Sequence, residues 1–309
     1  MSSPSSGSVA AIIVHYRTPV ETVAAARAVA RTCPGCALVV VDNHSNDGIG
    51  EILRREVPSA RVLESPVNAG YGAACNLGAR ATSEHYLLFL NSDARVGTGA
   101  VAALVHALES DSRAAVTGPR LSGPDGRLQP SIGRFPTPWR VFCESSGLAA
   151  LAGGRGYVRG HTKTREDHSR AKSVETLMGA ALLVRRSAFD EAGGFDEGFF
   201  LYAEETDLLA RLAKLGWRTL YVPSASVVHE GGASGGDRLF GLLHASLSRY
   251  VTKHHGRAAG ALSGVVLRAG AAGRYAAALL TPGEVGRRRR LRYRAALRPG
   301  GGREALPPR

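Results

Sequence analysis

Three apolar runs, each closed by a polar residue, limit what this chain can fold into: Val9 to His15 (VAAIIVH), Ala37 to Asp42 (ALVVVD) and Tyr86 to Asn91 (YLLFLN). They are continuous rather than alternating, the pattern of strands buried on both faces. Pro19 to Thr32, Ile49 to Glu56 and the alanine-rich Gly72 to Ala81 read as helices between them, with a further short strand at Arg61 to Glu64. Alternation of strand and helix predicts an α/β fold: a mostly parallel central sheet with helices on both faces. Such sheets bind ligands outside the carboxyl ends of their strands. His15, Asp42, Asn91 and Asp93 are the polar residues at those ends.

The second half is less regular. Pro119 to Thr137 carries turn signals, and Gly153 to Ala171 reads as a long loop rich in Gly, Arg, His and Lys. Met178 to Val184, Thr219 to Val222 and Val227 to His229 read as strands, Ser187 as the cap of a short helix, and Glu204 to Leu215 as a helix closed by Gly216.

Charge narrows the function. Of the net +13, residues 257–309 contribute 12 Lys/Arg against 2 Asp/Glu, while residues 1–256 hold 27 against 24. A nucleic-acid-binding domain carries its charge on the folded body, so no nucleic-acid partner is expected. The tail instead joins an Ala-, Gly- and Leu-rich stretch, Ala258 to Leu280, to a cluster of Arg287, Arg288, Arg289, Arg290, Arg292 and Arg294. That order suits the surface of an anionic membrane; a solvated basic tail is the plainer alternative. No run of 18 uncharged apolar residues is present, and Met1 to Ser8 lacks a secretory pattern. The expected location is the cytoplasm, peripheral on the inner face of the cell membrane. Cys33-Pro34-Gly35-Cys36 has no second pair to complete a zinc site and sits at a helix-to-strand turn.

Several short segments bear chemistry. Asp42-Asn43-His44-Ser45-Asn46-Asp47-Gly48 is either a nucleotide-binding loop or a set of Asx turns. Asn68-Ala69-Gly70-Tyr71-Gly72-Ala73-Ala74-Cys75-Asn76 opens a helix, whose free N–H groups attract anions. Asn91-Ser92-Asp93 offers a carboxylate to a hard divalent cation that also holds a diphosphate. Glu204-Glu205-Thr206-Asp207 places acids in a first helical turn, where the dipole favours them, and leaves Glu205 free to act as a base. His229 follows an apolar strand, as either a structural residue or a metal ligand.

These segments occur in an order, over residues 9–256, that resembles the family 2 inverting glycosyltransferases of the GT-A nucleotide-diphospho-sugar fold. Phe195 to Gly216 (FDEGFFLYAEETDLLARLAKLG), Gly179 to Gly194 and Val222 to His229 strengthen the likeness to the bacterial rhamnosyltransferases of cell-wall and polysaccharide synthesis. The resemblance implies residues 9–118 as a nucleotide-binding half, 119–256 as an acceptor half and 257–309 as a basic helical tail. It implies Asp42, with His15 and Tyr16, at the nucleobase. Asn43, Asn68, Gly70, Asn76, Asn91 and Ser92 would border the nucleotide sugar, Asp93 and His229 would sit at Mg²⁺ or Mn²⁺, and Glu205 would be the catalytic base. Two positions depart from the family: Asn91-Ser92-Asp93 stands where Asn-Pro-Asp is usual, and Glu205 where Asp is usual. The extra methylene moves that carboxylate by about 1.5 Å. The implied activity is transfer of L-rhamnose from dTDP-rhamnose to a hydroxyl of a glycan or polyprenyl-diphosphate-linked acceptor. UDP-galactofuranose, UDP-GlcNAc and GDP-mannose are alternative donors. The rivals from other classes are a basic nucleic-acid binder and a non-catalytic scaffold.

Overall fold

The apolar runs become neighbouring strands. The computed structural model describes residues 9–151, 167–231 and 239–298. Its first half runs β1 (Val9–His15), α1 (Pro19–Thr32), β2 (Ala37–Asp42), α2 (Ile49–Glu56), β3 (Ala60–Glu64), α3 (Tyr71–Arg80), β4 (Tyr86–Asn91), β5 (Ala94–Val96) and α4 (Ala100–Ser110). All seven residues of β1 are buried, as a central strand with helices on both faces requires. Pro19 lies in the first turn of α1, where its missing N–H costs no helical bond. Cys33 and Cys36 form a disulfide across the turn from α1 to β2.

The chain continues through β6 (Ala114–Ser122), β7 (Leu128–Gln129), β8 (Ile132–Gly133), α5 (Pro138–Ser146), α6 (Leu148–Leu151), β9 (Lys172–Val174), β10 (Thr176–Leu177), β11 (Ala181–Arg185), α7 (Arg186–Glu191), α8 (Glu204–Lys214) and β12 (Arg218–His229). Three helices follow: α9 (Phe240–His255), α10 (Arg257–Leu279) and α11 (Gly283–Leu297). The main sheet has the order β3-β2-β1-β4-β11-β6-β12-β5. Strands β3, β2, β1 and β4 pair in parallel, as do β6 and β12; β11 and β5 run against their neighbours. This is the mostly parallel α/β sheet that the sequence predicts.

Some sequence expectations shift. The segments at 219–222 and 227–229 are one strand, β12, with an irregular register between Val222 and Ser226. Pro223, which has no N–H for the ladder, stands inside that break. Strand β11 starts at Ala181 rather than Met178. Ser187 lies inside α7 instead of capping it, because Arg185 holds the N-cap position without a side-chain bond. Of the expected loop from Gly153 to Ala171, residues 153–166 lie outside the described residues.

The chain divides into two compact units. One is drawn from Met1–Gly133, Glu166–Gly198 and Glu204–Ser234 and holds the main sheet. Its core is Val, Ile, Leu and Ala from β1, β2, β4 and β11 packed with α1, α2 and α4. Helix α3 approaches β1 closely: a Cβ on Gly78 would stand 2.5 Å from the Ile12 Cγ2 methyl. The other unit is drawn from Arg134–Arg165, Phe199–Ala203 and Gly235–Arg309 and is helical. The division therefore differs from the expected boundary at residue 257. The reason is packing: α10 buries Gly260, Ser263, Leu267, Ala271 and Ala278. A Cβ on Gly260 would meet Thr252 of α9, and one on Gly270 would meet Ser145 of α5. No helix among the described residues is long and apolar enough to cross a membrane.

Candidate active site

Parallel register brings the polar strand ends to one edge of the sheet. His15 is opposite Asp42, and Asn91 is beside Val14. The loops that follow are held by side chains whose roles divide into those that shape the edge and those that remain free to act.

His15 belongs to the first kind. It is fully buried, with Nδ1 2.7 Å from the Thr22 hydroxyl and Nε2 3.1 Å from both Asp47 oxygens. A ring that donates from Nε2 to Asp47 and accepts at Nδ1 from Thr22 satisfies both contacts. His15 thus ties α1 to the 42–48 loop, and neither ring nitrogen remains for a nucleobase. Tyr16 is half-buried, with the Arg17 guanidinium 5.4 Å from its ring. Asp42 accepts from the Ser45 N–H, three residues on, through Oδ1 (2.9 Å), which leaves Oδ2 without a hydrogen bond among the described residues. His44 and Asn46 adopt left-handed backbone conformations in this loop.

Asn43 and Asn68 build the turn into α3. Asn43 donates through Nδ2 to Asn68 Oδ1 (2.9 Å) and Gly70 O (3.3 Å), and its Oδ1 accepts from Ala69 N–H (3.1 Å). Asn68 Oδ1 also accepts from Gly70 N–H. Gly70 caps the helix at φ 96°, and no side chain caps the first N–H groups of α3. Asn76 is consumed by structure. Its Nδ2 donates to Phe195 O and Glu197 Oε1, and its Oδ1 accepts from Phe195 N–H, each at 2.9 Å. It fastens α3 to the segment after α7 rather than bordering a diphosphate.

Ser92 accepts from the Thr18 hydroxyl at 2.9 Å, and Asn91, half-buried, closes β4. Asp93 and His229 meet because β5 pairs antiparallel with β12, setting Ala94 opposite His229. Asp93 Oδ1 lies 3.4 Å from His229 Nε2, and both residues are buried. Burial raises the Asp93 pKa, but the hydrogen bond and charge of His229 with nearby backbone N–H groups outweigh it, so the carboxyl sits below its ordinary value. Gln129 fixes the imidazole from behind: its Oε1 is 2.9 Å from His229 Nδ1, and its amide donates to the His229 carbonyl at 2.7 Å. With Nδ1–H donated to Gln129, Nε2 faces Asp93: the imidazolium donates there, and the neutral ring offers a lone pair to a cation that takes that proton's place. Two ligands of one octahedral cation with 2.0–2.1 Å bonds stand about 3 Å apart, so this oxygen–nitrogen pair fits a hard divalent ion. Among the described residues no third His, Cys, Asp or Glu completes a cluster, and such ions take their remaining ligands from phosphate and water. Sequence reading passed over Gln129; the turn at 123–126 that returns the chain along β6 was the available signal.

Glu204 and Glu205 open α8, just after Tyr202 and Ala203, both held at positive φ (69° and 64°). Glu204 is 5% exposed, and its Oε2 has no hydrogen-bond partner among the described residues. Burial, then the neighbouring Glu205 charge, pushes its pKa well above the ordinary range. Glu205 is half-buried and lies against Gly179, where a Cβ would come within 3.3 Å of Glu205 Cγ. Burial raises its pKa too, against backbone hydrogen bonds from its own residue, Thr206 and Gly179. Burial thus pushes both carboxyls upward. Asp207 is fully buried and bonds Arg211, which donates to the carbonyls of Ala192 and Gly194, so it shapes the turn after α7.

Residues 12–193 match the profile of glycosyl transferase family 2, and the chain belongs to that family. It is similar to the N-acetylglucosaminyl-diphospho-decaprenol L-rhamnosyltransferase of Mycobacterium tuberculosis, 35% identical over 215 residues, which are 65% of this chain and 68% of that protein. It is also similar to the rhamnosyltransferase WbbL of Escherichia coli, 43% identical over 56 residues, 18% of this chain and 21% of that protein. Among solved structures, a mannosyltransferase from Pyrobaculum calidifontis in complex with GDP-Man and Mn²⁺ superposes with a TM-score of 0.59 at 16% identity, covering 91% of this chain and 77% of that one. The protein is a glycosyltransferase of the GT-A fold, as the sequence resemblance implies.

The saturated amide of Asn76 yields a direct check. Asn76→Ala leaves the buried Phe195 N–H and carbonyl without their partner. The expected cost is about 1–3 kcal/mol of stability for groups left unsatisfied, read from urea unfolding. Nucleotide-sugar affinity of the folded protein should be little changed. An unchanged midpoint with lost affinity would return Asn76 to the binding site.

Proposed function

We propose that the protein transfers L-rhamnose from dTDP-rhamnose to a hydroxyl of a polyprenyl-diphosphate-linked sugar, with inversion at the anomeric carbon. The observation that carries the reading is the 35% identity to the mycobacterial rhamnosyltransferase over two thirds of its length. The free Asp42 oxygen and the α3 N-terminus supply acceptors and donors for the nucleoside and diphosphate. Asp93 and His229, steadied by Gln129, would hold Mg²⁺ or Mn²⁺. When bound, that ion would neutralise charge on the diphosphate leaving group.

Glu205 is the base in this reading. Its carboxylate accepts the proton of the acceptor hydroxyl as that oxygen bonds to the anomeric carbon. The bond from that carbon to the diphosphate breaks on the opposite face, and its electron pair leaves with the diphosphate. One displacement inverts the centre. The neighbouring Glu204 is buried, and burial pushes its pKa well above the ordinary range.

A thermal-shift panel of dTDP-rhamnose, UDP-galactofuranose, UDP-GlcNAc and GDP-mannose, with and without EDTA, tests the donor. The expected result is a metal-dependent shift largest for dTDP-rhamnose; a larger shift with another donor reassigns the sugar. Transfer itself tests the base. Glu205→Gln should keep donor binding and lose ~10²–10⁴ in turnover. Because the base must be ionised and its pKa is raised, wild-type turnover should fall as pH drops through a value above ~4.3, the ordinary Glu range. Glu205→Gln should lack that limb. A large loss in Glu204→Gln with little in Glu205→Gln would move the role back one residue.

A further inference from the structure

The helical unit carries a surface that the transferase reading leaves unused. Helix α10 has 23 residues, a length of about 34 Å at the α-helical rise. Its buried face packs within the unit: Ser145 of α5 donates to the Val266 carbonyl at 3.0 Å, and Arg274 donates to the Glu144 carbonyl at 2.9 Å. Its opposite face is in water and yet is largely apolar. Leu262 is 61% exposed, Val265 62%, Leu279 58% and Leu280 88%, with Ala269, Ala272 and Ala276 exposed between them at helical spacing. A surface helix ordinarily turns polar residues outward. This one has no acid and three arginines, of which Arg274 is bound inward.

Helix α11 packs on α10 and supplies the charge. Arg290 is used internally, donating to the carbonyls of Ala278 and Thr281 at the end of α10. Arg287, Arg288, Arg289, Arg292 and Arg294 are exposed, with Val285 (58%) and Leu291 (48%) exposed beside them. Glu284, paired with Arg287 and Arg288, is the single acid from residue 257 to 298, against ten arginines.

We propose that the exposed apolar stripe of α10 and the arginine row of α11 form a docking surface for an anionic phospholipid bilayer, engaged along its plane. The two components choose the occupant together. A second copy of the chain would cover the leucines but bring two arginine rows against each other with one acid apiece to offset them. A nucleic acid would neutralise the arginines but leave the leucines in water. A bilayer spanned by α10 is excluded by its hydropathy. An anionic interface accepts apolar side chains at the acyl boundary and arginines at the head groups. The surface extends the reading of a polyprenyl-linked acceptor, which it would bring into reach, but it stands on its own residues.

Removing residues 258–309 is a poor test, because it also strips the buried face of α10. Point changes on the exposed face avoid this. Full-length protein, Leu262→Glu with Val265→Glu, and Arg288→Gln with Arg289→Gln are floated with vesicles of phosphatidylglycerol and phosphatidylcholine, or of phosphatidylcholine alone. Wild type should float with the anionic vesicles and not with the neutral ones. Each double variant should lose about tenfold or more in partition while keeping its unfolding midpoint and its turnover on a short soluble acceptor. Absence of flotation for wild type, or flotation of either variant equal to that of wild type, overturns the proposal. So does a dimer abolished by the Leu262/Val265 change without loss of flotation, or oligonucleotide binding that depends on the arginines alone. Flotation as expected, with no transfer to any lipid-linked acceptor, would instead sink the acceptor assignment and leave the surface in place.

Discussion

The parallel pairing of β1 with β2 and β4 is the constraint on which the rest depends. Ile12 sits between Val39 and Phe89, and His15 opposite Asp42. Buried on both faces, β1 has no freedom to slip, since a one-residue shift would exchange the two side-chain sets of the sheet. The register therefore fixes where each strand ends and each loop departs. The hydrogen bonds from His15 to Asp47 and from Asn43 to Asn68 then set loop shape at an edge whose position is already decided.

On that edge, the chemistry depends on how two kinds of carboxyl are held. Asp93 is buried but faces an imidazole and backbone N–H groups, so it stays ionised and suits a cation. Glu204 and Glu205 are adjacent acids with few donors, and burial drives both upward. Two neighbouring carboxylates resist double ionisation. Backbone donors from Glu205, Thr206 and Gly179 oppose that rise at Glu205. The surroundings of a carboxyl thus decide which form it favours: Asp93 the anion, Glu204 and Glu205 the acid.

Much of the sheet was legible because β1, β2 and β4 are uninterrupted apolar runs, and α1 and α3 lie between them with clear starts. Strand β6 was not, since Thr117, Gly118 and Pro119 break its apolar pattern, and a Cβ at Gly118 would clash with Leu177, a contact no local rule announces. Helix α9 mixes Leu, His, Ser and Arg without a clean stripe and escaped notice. Asp42, Asp93 and Glu205 stand out in the sequence as acids at element ends. The joining of Asp93 to His229 depends on a three-residue strand, β5, too short to read. His15, Asn43 and Asn76 looked like ligands because they are polar and near the strand ends; their hydrogen bonds are spent within the fold.

The central claim is that a single displacement occurs at this edge, with Glu205 as the base. The anomeric configuration of the product tests it most directly. Rhamnosyl transfer to a soluble analogue of the lipid-linked acceptor, followed by NMR before the product can re-equilibrate, reads the configuration at the new bond. One displacement predicts a product of opposite anomeric configuration to the donor. Retention would require a covalent intermediate or a front-face route, and would contradict the assignment of Glu205 as the base.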